Sequence, residues 1–333
     1  MTHASYMAKA AYPLIGERNL GEEPIMDAFS PVRVKAERMV RQAQDSICQA
    51  IEELDGSHFV EDVWVSPDGS TDYTDRVLRN GNIFQTVAAN VAVIHGTFSS
   101  ETARAATGGC LRIDGPLPFY VASLSLVLHA QNPMVPSGHA HYRYFEAGHE
   151  TEPERWWFGG GADLTPNYLF EEDAAHFHRI HREVCDRYDL SYYPRFKKWC
   201  DEYFHIVHRG ERRGIGGIFF DNLNDYDQEA LFEFVKASAA AFIPGYLPIV
   251  QRRRSMPFTE RHLHWRQLRA GRYVEFNLVY ERGIVFGLKS GGRVSSILMG
   301  LPQQARWEYQ HVPSAGSEEA RLVEVLRQPR EWA

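Results

Sequence analysis

The sequence predicts a single-domain α+β fold in which a mainly antiparallel sheet is covered by helices on its faces. Three observations point there. Short runs alternate apolar and polar residues with a period of two and are separated by Gly-containing turns. Amphipathic stretches of helical period come in groups between those runs instead of after every strand. No internal repeat or low-complexity linker divides the 333 residues.

Taken in order, Ser30-Pro31 supplies an N-cap and a preset first turn. Val40, Ala43, Ile47, Ala50, Ile51 and Leu54 then recur at helical spacing up to Gly56, which predicts a helix. From His58 the period falls to two. Strands are expected at Phe59 to Val65, Ile83 to Gln85 and Val87 to His95, with turns at Asp68-Gly69 and Asn80-Gly81. The run SLSLVLHAQNPMVPSGHAHYRYF, Ser123 to Phe145, reads as two strands around a Pro-rich loop. Phe170, Ala174, Phe177, His181, Val184 and Tyr188 form one helical stripe, and Phe196, Trp199, Tyr203, Ile206 and Val207 form another. Further strands are expected at Ile215 to Phe220, Tyr273 to Tyr280 and Ile284 to Leu288, the last two joined by Glu281-Arg282-Gly283. Helices are expected from about Gln228 to Phe242 and from Thr259 to Arg269. Pro244, Pro248 and Pro257 read as a hinge or as loop punctuation.

Composition narrows the function. With 44% hydrophobic residues the chain can bury a large core, and a net charge of -7 argues against a nucleic-acid binder, which needs clustered Lys and Arg in excess. The run Arg252-Arg253-Arg254 reads as a solvated face. Cys48, Cys110, Cys185 and Cys200 are scattered, with no CxxC pair, so a reducing compartment, the cytoplasm, is expected. Residues 1–25 lack a charged start followed by an apolar core and read as a loose lead to a domain over 26–333. No transmembrane segment is expected, since no apolar run reaches the roughly 18 residues a span requires.

The Ser123 to Phe145 run carries the densest chemistry. Period-two geometry puts Leu124, Leu126 and Leu128 on one face and Ser125 and His129 on the other. After the loop, His139, His141 and Arg143 share a face opposite Ala140, Tyr142 and Tyr144. If the strands pair, one wall gathers Ser125, His129, His139, His141 and Arg143. Such a wall suits an anionic substrate that needs proton transfer, because His titrates near neutrality and Arg grips carboxylates bidentately; the alternative is a polar, solvated face.

Three other stretches bear on function. In RWWFGGGADLTP, Gly159, Gly160 and Gly161 allow a tight turn or a close approach to a ligand. Asp163, just before Thr165-Pro166, is either a helix N-cap or a ligand contact. His176 and His178 would lie about 200° apart on a helix, so they cannot ligate jointly, although one of them can face inward. His208 is expected at the end of its helix, where it can interact with the C-terminus. LKSGGRVSS, Leu288 to Ser296, interrupts the expected strand pair either as a surface hairpin or as a site offering backbone N–H groups and Arg293 to a carboxylate.

Four stretches together resemble the oxygen-dependent coproporphyrinogen III oxidase family: Ser123 to Phe145, WWFGGGADLTP, YYPRFKKWCDEYFHIVHRGERRGIGGIFFDNL from Tyr192 to Leu223, and GRYVEFNLVYERGIVFGLKSGGRVSSILMGLP from Gly271 to Pro302. More loosely the likeness runs from about Met26 to Trp307, leaving the tail from Glu308 uncovered. The resemblance implies a large flat sheet flanked by helices on both faces and a homodimer formed through residues 273–308. It implies dioxygen as co-substrate with no organic cofactor, and conversion of two propionates of coproporphyrinogen III to vinyl groups. By motif, His139 matches the proton donor and Asp163 the pyrrole partner; Ser125, His141, Arg143, Gly291, Gly292 and Arg293 match substrate contacts. His129, His139, His178 and His208 match a metal site for a divalent ion. His141 stands where the family usually has Asn, and Ser295 where it usually has Glu. A tetrapyrrole carrier that has lost turnover is the non-enzymatic alternative.

Overall fold

A computed structural model describes residues 31–99, 116–148, 155–289 and 291–333 of the chain. The expected lead, residues 1–25, lies outside them.

The first helix, α1 (Pro31–Asp55), buries Val32, Ala36, Met39, Val40, Ile47 and Ile51 along one face. Its last residue ties it to the sheet. The Asp55 carboxylate accepts backbone N–H bonds from Asn82, Ile83 and Phe84 at 2.9, 2.8 and 2.9 Å. Those donors lead into β3, so the helix end and the strand start are set together.

The sheet has seven strands, each antiparallel to its neighbours: β1 (Val60–Val65), β2 (Thr71–Arg79), β3 (Phe84–Phe98), β4 (Leu117–Ala130), β5 (Ser137–Ala147), β6 (Arg155–Thr165) and, after a helical excursion, β9 (Gly216–Leu223). A small ladder, β7 (His205–Ile206) with β8 (Glu211–Arg212), lies apart from it. The two runs expected at Ile83 to Gln85 and Val87 to His95 are one strand, β3, with an irregularity between Phe84 and Thr86.

The remaining helices are α2 (Glu171–Asp186), α3 (Tyr192–Tyr203), α4 (Gln228–Ala240), α5 (Phe242–Arg253), α6 (Glu260–Val279), α7 (Arg282–Lys289), α8 (Val294–Leu298) and α9 (Glu318–Arg327). The apolar face of β4 and β5 packs under α1, α4 and α5. Leu124, Leu126, Leu128, Ala140, Tyr142 and Tyr144 are all fully buried there. The hydroxyl of Tyr142 donates to the Ser238 carbonyl of α4, and that of Tyr246 on α5 donates to the Pro136 carbonyl, both at 2.8 Å. Phe196, Phe220 and Phe234 join α3, β9 and α4 with ring centroids 5.0 to 5.9 Å apart. Burying each ring contributes roughly 1.5–3 kcal/mol. The opposite, polar face lies under α6 and the segment that follows it.

Several expectations fail here. Tyr273 to Tyr280 is not a strand but the end of α6, and Ile284 to Leu288 falls within α7. Valine, phenylalanine and tyrosine favour strands, but Trp265, Leu268, Arg269, Tyr273, Phe276 and Asn277 continue one buried helical stripe, and packing along that stripe overrides propensity. Strand β2 was not expected, and WWFGGGADLT is strand β6 instead of a turn. The helix expected from Gln228 to Phe242 is present as α4, but a second helix, α5, follows it directly, so Pro244 and Pro248 lie inside a helix instead of in a hinge or loop. The arginine run is a solvated face only in part: Arg252 and Arg254 are exposed, but Arg253 is buried, pairs with Glu172 and Asp173, and lies 3.8 Å from the Phe170 ring centroid. Gln228–Arg253 is apolar enough to cross a membrane by length and composition alone, but it is two helices, and over half of its most apolar 18-residue window is buried inside the fold.

Candidate active site

Strand register builds the site. Antiparallel pairing sets Ser123 opposite Arg143, Ser125 opposite His141 and Val127 opposite His139. On the next strand His139 faces Asp163, His141 faces Gly161 and Arg143 faces Gly159. The expected wall therefore exists, and Ser125, His139, His141 and Arg143 are all partly exposed on it. It also extends further than expected. Asn90 lies opposite Ser125 and Asp75 opposite Asn90, so the row runs across five strands from β2 to β6.

At the centre of the wall, Nδ1 of His139 donates to Oδ2 of Asp163 at 2.7 Å. Asp163 is buried mid-strand, which rules out the N-cap reading. Burial alone would raise its pKa, but the Arg213 guanidinium and His139 outweigh it and hold the carboxyl below its ordinary value. Arg213 Nη2 reaches Oδ1 at 2.8 Å and Oδ2 at 2.9 Å. Arg213 is itself 1% exposed and walled by the rings of Phe204, Tyr273 and Phe276, its Cζ 4.0 to 5.0 Å from their centroids. His139 Nε2 meets no hydrogen-bond partner among the described residues, and its side chain keeps 17% exposure.

Burial, then the Arg143 charge, push the His141 pKa down to about 3, so this imidazole is neutral at physiological pH. Arg143 pairs with Asp221 of β9. That approach explains Gly159, where an added Cβ would sit 2.8 Å from Arg143 Nε and 2.9 Å from Asp221 Oδ1. At Gly161, φ is +155° and a Cβ would meet the Ile218 carbonyl at 2.1 Å. These glycines let side chains and strands pack closely, and they form no turn.

At the other end of the wall, Arg293 caps α8 and pairs with Asp62 and, at 3.2 Å, with Asp75. Asn90 Nδ2 donates to Asp75 at 2.6 Å, and the Ser296 hydroxyl also donates to it. The glycines beside Arg293 differ from expectation. The Gly292 N–H is spent on the Gly287 carbonyl at 2.9 Å, closing the end of α7, while Gly291 adopts φ +78° in the turn. Ser295 is exposed on α8.

The four imidazoles matched to a metal site do not fit one. Both ring nitrogens of His129 are engaged, by Ser137 and the Gly300 carbonyl, and both of His178, by Tyr193 and the Ile215 carbonyl. His208 sits on a short 3₁₀ turn, not at a helix end, and holds Tyr280 and Glu275 at 2.7 Å. No three His, Cys, Asp or Glu side chains gather for a metal among the described residues. Of the helical pair, His178 faces inward and His176 is half-buried with its Nε2 at 2.9 Å from the Pro244 carbonyl, as the spacing allowed.

Arg213, Asp221, Asp75 and Asn90 were missed by sequence reasoning. Asp75 lies on an unexpected strand. Arg213 is one of three arginines in RGERRG, and no periodicity separates the buried one from the others. The arrangement as a whole sets an imidazole between two guanidinium groups, each held by a carboxylate of the protein, a set of groups able to contact a carboxylate-bearing small molecule.

Comparison with known proteins agrees. The coproporphyrinogen III oxidase profile matches residues 35–332. The chain is 53% identical over 309 residues to coproporphyrinogen-III oxidase 1, chloroplastic, of Arabidopsis thaliana, covering 91% of this chain and 80% of that protein. It is 47% identical over 306 residues to the oxygen-dependent coproporphyrinogen-III oxidase, mitochondrial, of Homo sapiens, covering 90% and 67%. The chain belongs to the coproporphyrinogen III oxidase family. The match extends through the tail beyond Glu308, where α9 buries Leu322, Val325 and Leu326.

Proposed function

We propose that this protein is an oxygen-dependent coproporphyrinogen III oxidase, which converts two propionates of coproporphyrinogen III to vinyl groups in haem biosynthesis and yields protoporphyrinogen IX. The observation that carries this reading to particular residues is the wall, with His139 on Asp163 at its centre, Arg143 beside it and Arg293 at its far end.

The chemistry fits these residues. Each propionate gives up carbon dioxide, one proton and two electrons as the double bond forms. Dioxygen taking two electrons needs two protons to leave as peroxide, so one more must be supplied. His139 Nε2 is placed to supply it. Arg143 and Arg293 orient the propionates, and Ser125 and His141 offer single hydrogen bonds between them. Asp163 receives two contacts at Oδ2 and one at Oδ1, which leaves a lone-pair direction on Oδ1 for a pyrrole N–H. A reduced tetrapyrrole is electron-rich enough to pass electrons to dioxygen directly, so no flavin, haem or nicotinamide is invoked.

The test is turnover with coproporphyrinogen and dioxygen alone, read by product mass and released carbon dioxide. Binding without carbon dioxide release would leave a carrier instead. For the assembly, a homodimer through residues 273–308 is supported by the exposed Leu278, Val279, Phe286, Leu288 and Val294. For the compartment, the free, buried Cys48, Cys185 and Cys200 suit a reducing one, with the cytoplasm as the proposal. The relatives above are named chloroplastic and mitochondrial, and cell fractionation decides between these.

A further inference from the structure

We propose that Arg213 is a positioning residue: acting through Asp163, it fixes which nitrogen of His139 exchanges protons with the substrate. The proposal rests on the reading of His139 as the proton-handling group.

The geometry runs in one line. Arg213 Nη2 holds both oxygens of Asp163, at 2.8 and 2.9 Å, and Oδ2 of the same carboxylate takes the Nδ1–H of His139 at 2.7 Å. Arg213 cannot turn away, because Phe204, Tyr273 and Phe276 surround its guanidinium and its backbone N–H is held by the Phe204 carbonyl at 2.8 Å. The Phe204 ring also meets His139, with centroids 5.8 Å apart at 78°, so one aromatic side chain packs on both ends of the line.

Asp163 is the hinge of the argument. A carboxylate accepts hydrogen bonds only, so while it stays ionised the His139 Nδ1 must carry hydrogen in the neutral and in the charged imidazole alike. Every proton gained or lost by His139 then passes through Nε2, the nitrogen without a protein partner among the described residues. Asp163 is 2% exposed, and an isolated carboxylate buried that deeply would sooner take a proton. A protonated Asp163 could donate to Nδ1 and turn the imidazole into its other tautomer. The positive charge of Arg213 prevents this, and it does so from a position that touches no substrate.

The experiment uses the full-length protein labelled with ¹⁵N-histidine, the His139 signal being assigned by its loss in His139→Ala. In the wild type, Nδ1 is expected to keep the shift of a protonated nitrogen across the titration while Nε2 alone changes. A neutral form protonated at Nε2 would overturn the proposal without any variant. Arg213→Gln is expected to mix the tautomers and to lower kcat by about tenfold or more with KM within about twofold, since the lost function is proton transfer and not binding. Arg213→Lys should recover part of the rate, because it restores a charge beside Asp163. An Arg213→Gln protein that keeps both tautomer and kcat would also overturn it. If Arg213→Gln does not fold, the wild-type spectrum and Arg213→Lys decide. A chain that shows the expected tautomer but no oxidase turnover would defeat the functional reading and leave the positioning role standing. An active chain with the other tautomer would do the reverse.

Discussion

His139 has one ring nitrogen tied to Asp163 and the other without a hydrogen-bond partner among the described residues, an asymmetry that makes single substitutions informative. His139→Ala is expected to abolish carbon dioxide release while the protein stays folded, because the side chain sits on the polar wall and not in the core; near wild-type turnover would remove it from the mechanism. Asp163→Asn behaves differently. It leaves the buried Arg213 charge without its counter-ion, so a loss of about 3 kcal/mol in urea denaturation is expected along with the loss of rate. An unchanged midpoint would show that the ion pair does not form. Lysine at Arg143 or Arg293 keeps the charge but not the planar fork. Each change should raise KM for the substrate several-fold, and unchanged kinetics in both would sink the carboxylate-clamp reading. At this scale the wall was legible in the sequence because alternation in a strand is local: Ser125, His139, His141 and Arg143 sort themselves onto one face. The partners of these residues were not legible. Asp221 and Arg213 reach the wall from β9 and from the loop before it, and no local pattern announces a contact made 50 or more residues away.

Individual elements were read well where one periodicity dominated and poorly where composition pulled against it. The first helix, the β4–β5 pair and α2 follow their stripes closely. The end of α6 was misread because its strand-favouring residues also lie on a helical stripe, and burial against the wall decided between the two. Strand β6 was not expected, because three consecutive glycines normally break a strand. Here Gly159 leaves room for Arg143 and Asp221, and Gly161 lets β9 come close. Gly161→Ala should accordingly destabilise the protein by about 3 kcal/mol, through both the contact with the Ile218 carbonyl and the unfavourable φ, as read by thermal or urea unfolding. A fully stable variant would mean that β6 and β9 are not packed this tightly.

For the molecule as a whole, the meandering sheet and the grouping of the helices followed from the order of periodic runs along the chain. The contacts of the expected dimerisation region did not: its short helix α8 reaches back to the edge of the sheet, with Arg293 on Asp62 of β1 and Ser296 on Asp75 of β2. Among the apolar residues that remain exposed are Leu278 and Val279 at the end of α6, whose buried stripe roofs the wall, and Phe286 on α7. Sedimentation at micromolar concentration is expected to show a dimer that Val279→Asp with Phe286→Glu converts to monomer; a wild-type monomer would count against this surface. The strand order has a consequence for how the protein is made. Strands β1 to β6 pair in the order in which a ribosome delivers them, so each new strand meets a finished neighbour and little of the sheet waits for distant chain. The site is the exception. A nascent chain that has just released Thr165 already displays the wall, but it lacks Arg213, β9 and the α6 roof, so Asp163 and His139 stand unsupported until more than a hundred further residues emerge. The sheet can therefore form early, while the site is complete only in a nearly full-length chain.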